Sequence, residues 1–273
     1  MISSMVIVYR EVLEMSIVLG ILLAATRGMP VTRKWIVAGG LLGLFGAAVV
    51  GWFMEELEGA MTGNGEFIFN AVILSLASAM IAWTVIWMRR HGRELAQRMR
   101  SVGKSVVEGD IPLKALLLIS MAAVMREGSE AVFFLFGFLQ SGQEASVLFG
   151  GGIIGLLLGV VTGHLLYRGL IVIPVKHLFS VTGVLLILLA AGMASQAAWN
   201  LVVIDMIPPL VDPLWNSSAW LSRESLLGEL LSVLIGYDDS PSGMQFLVFT
   251  LALVVMFSLS LWAEMHERQG RHV

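Results

Sequence analysis

The sequence contains no cysteine, and it has few charged residues for its length. Charged side chains make up 14% of the 273 residues, whereas about 25% is usual in a soluble domain. The absence of cysteine excludes disulfide bonds, thiolate metal sites and cysteine nucleophiles. Apolar residues account for 57% of the chain, so the composition indicates a protein embedded in a membrane.

Long apolar runs occur along most of the chain, and a membrane helix needs about 20 mostly apolar residues. We therefore predict an all-α polytopic membrane protein with seven transmembrane helices. The predicted spans are 2–26, 35–54, 67–88, 113–139, 147–167, 178–199 and 244–263. The first run lacks the basic segment and cleavage site of a signal peptide, so we expect it to be retained as a helix.

Basic residues collect in alternate connections between the predicted spans. Connection 27–34 carries three basic residues and connection 89–114 carries seven, whereas connection 55–66 carries none and is acidic. Because basic connections remain in the cytoplasm, we expect the N-terminus outside and the C-terminus in the cytoplasm. The expected location is the cell inner (plasma) membrane, which the chain crosses several times.

Two of the apolar runs are interrupted near their middle by the pattern R-E-x-x-E. The residues are Arg10, Glu11 and Glu14 in the first run, and Arg126, Glu127 and Glu130 in the fourth. A charge at the centre of a membrane helix costs roughly 2.5–3.5 kcal/mol on insertion scales. Charges at two such places therefore indicate a function.

The sequence pattern of the first three predicted helices is repeated in the next three. Gly39 and Gly43 fall on Gly151 and Gly155 with an offset of 112 residues, and the charged motifs are 116 residues apart. Because three is odd, the second copy enters the membrane from the opposite side, as in transporters with inverted repeats. We predict one transmembrane domain, 1–273. Its parts are repeat one at about 1–90, repeat two at about 111–200, an external segment at 200–243 with an amphipathic helix, and a seventh helix at 244–263.

Each motif presents two carboxylates and one guanidinium group to one region of space. Glutamates three residues apart share a helix face, and an arginine four residues before a glutamate can pair with it. The inverted repeat would bring four carboxylates and two arginines together, and oxygen ligands suit hard multivalent cations. The alternative is a structural ion pair that pins two helices. Two carboxylates for each arginine, in both copies, favour a metal site.

Acidic residues also occur near the predicted external helix ends. An acidic cleft raises the local concentration of cations, so these residues are candidates for an external entrance. The alternative is that they are solvated loop charges or, in the external segment, the wet face of the amphipathic helix. The candidates are Glu55, Glu58, Glu66 and Glu229.

The doubled motif in the first and fourth of seven helices resembles the signature of the oxidase-dependent iron transporter family, the iron permeases of fungal plasma membranes and bacterial inner membranes. Stretches 82–90, 225–228 and 236–242 also resemble bacterial members. The resemblance implies iron uptake into the cytoplasm, with the four motif glutamates handling the metal and the two arginines as their partners. It also implies external partner proteins that oxidise or deliver the iron.

Two other functions are alternatives to iron transport. One is transport of another divalent metal such as manganese or lead, and the other is a membrane-embedded iron-dependent oxidase. Carboxylate di-iron enzymes use Glu-x-x-His on helices, and neither Glu11 nor Glu127 has a histidine three residues on. We therefore expect a transporter and not an enzyme, with no cofactor because iron is the substrate. The expected partners include membrane lipids but no nucleic acid, and a homo-oligomer is compatible with the sequence.

Overall fold

The computed structural model describes the backbone at residues 1–168, 175–223, 225, 227–228, 231–232 and 236–269. Within helices, the side chains of 87–96, 175–181 and 263–269 are outside this description. The described part of the chain is all-helical and contains no β-strand. Its helices are α1 (Ile2–Ala25), α2 (Pro30–Gly59), α3 (Asn64–Glu108), α4 (Lys114–Gln140), α5 (Ala145–Tyr167), α6 (Val175–Val203) and α7 (Gly243–Gln269).

Five of these helices contain a stretch that is long and apolar enough to cross a membrane. The stretches are Pro30–Gly59, Asn64–Ile86, Ala145–Tyr167, Thr182–Val203 and Gly243–Trp262. Helices α1 and α4 carry the two charged motifs and are 24 and 27 residues long. The architecture is that of a polytopic membrane protein.

Most helices extend beyond the apolar runs that predicted them. Helix α3 continues through the basic stretch to Glu108, so the connection predicted to begin at residue 89 begins at Gly109. Arginine, glutamate and glutamine favour helices nearly as well as apolar residues do, and the helix ends only where Gly109 adopts φ 88°. Similarly, α6 reaches Val203, so the first four residues of the predicted external segment are helical. The predicted amphipathic helix falls partly outside the described residues, and of it residues 227–228 and 231–232 are described as helical.

Glycines bring two pairs of helices into backbone contact. A Cβ atom on Gly155 of α5 would overlap the carbonyl oxygen of Met5 on α1, and one on Gly43 of α2 would lie 2.6 Å from the carbonyl oxygen of Met121 on α4. Small residues permit such close approach of membrane helices. The two contacts correspond under the sequence offsets, since Gly155 is 112 residues after Gly43 and Met121 is 116 after Met5.

The same correspondence holds where α3 crosses α6. The hydroxyl of Ser78 donates a hydrogen bond to the carbonyl oxygen of Ala190 at 2.8 Å, and these two residues are themselves 112 apart. Helix α1 also contacts α4 directly. The packing therefore places the two helices that carry the charged motifs side by side.

Replacing Gly155 by alanine should destabilise the packing of α1 against α5. The added Cβ would meet backbone atoms of Met5 and Tyr9, which cannot rotate away, and such overpacking costs about 1–3 kcal/mol. We expect a lower melting temperature of the purified protein in detergent. Gly152→Ala is the matched control, because its Cβ would lie 3.8 Å from a Val8 methyl group in ordinary contact. An equal change in the two variants would contradict this packing.

Two buried apolar clusters lie on either side of the charged motifs along α1 and α4. The Phe134 cluster includes Ile7, Phe134, Phe138, Leu148, Leu186, Leu189 and Met193. The Leu22 cluster consists of Val18, Leu22, Ile36, Val106 and Leu116. Along α1, the motif at 10–14 lies between Ile7 and Val18, so the motif is bounded by apolar residues in both directions.

Candidate metal centre

Helix α1 places all three charged residues of its motif in the protein interior. The exposed fractions of Arg10, Glu11 and Glu14 are only 3%, 0% and 4%. Arg10 pairs with both carboxylates, from Nη1 to Glu11 Oε1 at 3.3 Å and from Nη2 to Glu14 Oε1 at 2.9 Å. One guanidinium group therefore serves two buried carboxylates.

The motif on α4 makes similar ion pairs in a more open environment. Arg126 Nη2 lies 2.8 Å from Glu127 Oε1, and its Nε lies 3.5 Å from Glu130 Oε1. The Arg126 side chain is 47% exposed and that of Glu130 is 14% exposed, whereas that of Glu127 is 5% exposed. The two motifs are thus equivalent in sequence but differ in burial.

Three carboxylates from the two helices meet at one place. One oxygen from each of Glu11, Glu14 and Glu127 lies within 4.8 Å of the other two. Among the described residues, Glu11 Oε2 and Glu127 Oε2 are buried and have no hydrogen-bond partner. The other oxygen of each carboxylate pairs with an arginine. A buried polar atom without a partner is costly, and a multivalent cation would bind these two free oxygens. Oxygen ligands of this kind suit a hard cation.

The fourth predicted carboxylate, that of Glu130, is held beside this group. Its Oε1 faces Arg126, and its Oε2 accepts a hydrogen bond from the hydroxyl of Thr84 at 3.2 Å. The structure therefore brings the oxygens of three of the four predicted glutamates together. The two oxygens of the fourth, Glu130, contact Arg126 and Thr84 instead.

Thr84 is a residue of the site that sequence reasoning missed. It lies on α3, is 5% exposed, and donates a hydrogen bond across the interface between α3 and α4 to Glu130. The one feature of the sequence that could have indicated Thr84 is its hydroxyl group within the apolar span 67–88. Such residues are common in membrane helices, because they also bond to their own backbone.

The predicted entrance residues lie at helix ends. Glu55 and Glu58 are in the last turns of α2 and Glu66 is in the first turn of α3. Glu55 and Glu66 are exposed and Glu58 is half-buried, while Glu229 lies outside the described residues. A cavity of about 390 Å³ is present elsewhere, between the α4–α5 connection, α6 and the segment before α7. Glu55, Glu58 and Glu66 do not line it.

Comparison with known proteins identifies the family. The profile of the Iron permease FTR1 family matches residues 1–266. The chain belongs to the FTR1 iron permease family. The match covers both motif-bearing helices and all five apolar spans of this iron permease family member.

The chain is also similar to individual iron permeases along most of its length. It is 29% identical over 254 residues to the ferrous iron permease EfeU of Escherichia coli O6:H1, covering 91% of each chain. It is 30% identical over 210 residues to the ferrous iron permease EfeU of Shigella flexneri, covering 76% of this chain and 88% of the relative. A relative from Escherichia coli strain K12, also 29% identical, bears a name that marks it as inactive. No solved structure is a significant match.

These relatives are permeases by name and not enzymes. Together with the five apolar helices, they identify the chain as an integral membrane protein of an iron transport family.

Proposed function

We propose that this family member is an iron permease of the bacterial inner membrane, and that it moves iron into the cytoplasm through a midplane site formed by the two R-E-x-x-E motifs. The observation that carries the proposal is the meeting of the Glu11, Glu14 and Glu127 oxygens within 4.8 Å of one another. Two of these residues are on α1 and the third is on α4. A site shared by two helices can change when the helices move.

The proposal includes seven membrane spans, with α1 and α4 added to the five apolar helices. At 1.5 Å per residue, the 24 residues of α1 extend about 36 Å, which exceeds the roughly 30 Å of a bilayer core. Arginine pairing compensates much of the charge on both helices. Charged residues in membrane helices usually face the bundle interior, and three motif carboxylates, those of Glu11, Glu14 and Glu127, are buried.

The proposal also includes an inverted repeat of α1–α3 and α4–α6. It is supported by the packing, in which α1 contacts α5 as α4 contacts α2. At the ends of these interfaces, Gly163 meets Ser16 and Gly51 meets Val132. These two contacts correspond, because Gly163 is 112 residues after Gly51 and Val132 is 116 residues after Ser16. The basic residues of alternate connections favour an N-terminus outside and a C-terminus in the cytoplasm.

The arginines hold the site together when iron is absent. Four carboxylates and two guanidinium groups leave a formal charge of −2, which attracts a multivalent cation and repels anions. Iron arriving at Glu11, Glu14 and Glu127 displaces the arginines from these carboxylates, and Glu130 turns from Arg126 and Thr84 to complete the ligands. The arginines return when iron leaves, which lowers the cost of release.

The donor set also suits other divalent metals. The group of three contains carboxylate oxygens only, and such ligands bind manganese as well as iron. The names of the relatives favour iron as the substrate. Because the sequence resembles oxidase-dependent iron transporters, we further propose that external proteins oxidise or deliver the iron.

The proposed function is tested by iron uptake into cells that lack other iron importers, with ferrous and ferric iron offered separately. The wild type should import one of the two forms, and Glu11→Gln should not. Glu108→Gln makes the same chemical change at a carboxylate that is 49% exposed at the end of α3, and it should transport normally. Normal uptake by Glu11→Gln would refute the proposed site.

Replacing Thr84 by valine should slow transport without unfolding the protein. Valine keeps the shape of threonine but removes the donor to Glu130 Oε2. In the proposed cycle Glu130 returns to Thr84 when iron leaves, and a hydrogen bond to a charged group contributes about 1.5–3 kcal/mol. Its loss should slow the release of iron, so we expect uptake to fall by about tenfold or more. Thr84→Ser keeps the hydroxyl and should retain most of the uptake. If serine and valine variants behave alike, Thr84 contributes packing and not a hydrogen bond.

A further inference from the structure

The cavity of about 390 Å³ is lined by polar groups from three separate parts of the chain. Gln143 and Glu144 come from the α4–α5 connection, Gln196 from α6, and Asp238 from the segment before α7. In the proposed orientation all these groups are on the external side of the membrane. The amide, hydroxyl and carboxylate oxygens suit a hydrated cation.

Helix α4 leads from this cavity to the metal centre. Phe138 lines the cavity, and Phe134, Glu130 and Glu127 follow at spacings of four, four and three residues. Residues at these spacings share one face of a helix. Phe138 and Phe134 are 3% and 0% exposed, so an ion moving along this face meets two buried aromatic rings before it meets a carboxylate.

One face of helix α1 also runs from the cavity to the metal centre. The hydroxyl of Ser3 donates a hydrogen bond to Gln143 Oε1 of the cavity wall at 3.2 Å. Ile7 and Glu11 follow Ser3 at intervals of four residues, so they lie on the same face of α1. Ile7 is fully buried and belongs to the Phe134 cluster. One apolar layer therefore separates the cavity from the glutamates on both helices.

We propose that this cavity is the external vestibule through which iron reaches the metal centre, and that Phe134 and Phe138 form an apolar gate that separates the vestibule from Glu130 and Glu127. This inference rests on the proposed function for the identity of the ion. It differs from the entrance expected from sequence, because Glu55, Glu58 and Glu66 do not line the vestibule.

The other side of the metal centre carries a matching apolar layer. Val18 and Leu22 of α1 correspond to Phe134 and Phe138 under the offset of 116, and both belong to the Leu22 cluster. Ile36 of that cluster likewise corresponds to Leu148 of the Phe134 cluster under the offset of 112. The carboxylates are therefore closed off from both sides. Transport would then require the two layers to open in turn.

Two residues that line the vestibule form an ion pair. Arg223 donates from Nη1 to Asp238 Oδ2 and from Nη2 to the carbonyl oxygen of Ser141, at 3.4 Å in each case. Ser141 follows the C-terminus of α4, where helix carbonyl groups favour a cation. An incoming cation therefore competes with Arg223 for these two oxygens before it meets the gate.

The absence of cysteine makes the inference directly testable, because each introduced cysteine is the only thiol in the chain. A charged, membrane-impermeant methanethiosulfonate reagent is added outside intact spheroplasts, and iron uptake is then measured. Gln196→Cys and Gln143→Cys should react, and the reaction should lower iron uptake at least tenfold. Thr62→Cys, exposed in the α2–α3 connection, should react with uptake unchanged.

The gate is tested with a deeper cysteine. Ile7→Cys should resist the reagent, and adding Phe138→Ala should increase its reaction rate at least tenfold, while Leu22→Cys should remain unreactive from outside. Full uptake after reaction at both Gln196→Cys and Gln143→Cys would overturn the vestibule, and so would an equal loss of uptake at Thr62→Cys. An unchanged rate at Ile7→Cys would overturn the gate. If the untreated wild type imports no iron, the proposed function is wrong. The reaction rates of Ile7→Cys with and without Phe138→Ala still test the gate in that case.

Discussion

Replacing Glu127 by glutamine is expected to reduce iron uptake by about 100-fold or more. Glutamine has nearly the same size, but its neutral amide removes one of the three carboxylates that lie within 4.8 Å of one another. Even a group that only orients a metal ligand contributes 10–100-fold to affinity or activity. The loss of a ligand should therefore have at least this effect.

The measurement compares initial rates of radioactive iron uptake at equal amounts of protein in the membrane. Glu127 has a buried oxygen without a hydrogen-bond partner in the described part of the chain, so its neutralisation should not destabilise the protein. The melting temperature of Glu127→Gln in detergent should equal or exceed that of the wild type. Unchanged uptake with unchanged protein levels would exclude Glu127 from the ion path.

Replacing Arg10 by glutamine should prevent stable folding. Arg10 is 3% exposed and is paired with both Glu11 and Glu14, which are themselves buried. Removing one partner of a buried ion pair costs about 3–5 kcal/mol because it leaves an uncompensated charge. A loss of this size is a large part of the stability of a typical protein.

Arg126→Gln is the matched control for Arg10→Gln, because the sequence motif is the same but the side chain is 47% exposed. We expect little loss of folded protein from Arg126→Gln, and a larger loss in turnover than in metal binding. Size-exclusion profiles and melting temperatures in detergent measure the difference. The triple variant Arg10→Gln with Glu11→Gln and Glu14→Gln removes both buried charges that Arg10 pairs with, and it should recover folded protein without recovering transport. Equal stability of the two single arginine variants would contradict the asymmetry of burial.

Much of the architecture was predictable from the sequence. The apolar runs located the helices to within a few residues at most ends, because a bilayer sets the length of a span. The end of α3 was not predicted, since apolar content marks where a helix leaves the membrane and not where it stops being helical. The arrangement of α1 beside α4 was expected from the internal repeat, which was predicted to bring the two charged motifs together.

The details of the site were less predictable. Spacing shows that Glu127 and Glu130 share a face of α4, but it does not show which of them faces α1 and which faces α3. The structure adds Thr84 as the partner of Glu130 and leaves Glu127 with the α1 glutamates. The vestibule was missed for a similar reason, since Gln143 and Asp238 come from distant segments that only the packing brings together.

The most direct test of the account is iron flux into proteoliposomes that contain only the purified chain, with wild type and Glu14→Gln measured side by side. We predict that the wild type accumulates iron in the lumen when one of the two oxidation states is offered outside. Glu14→Gln, reconstituted in equal amount, should not exceed protein-free vesicles. Equal iron accumulation by the two proteins would contradict transport through the buried glutamates.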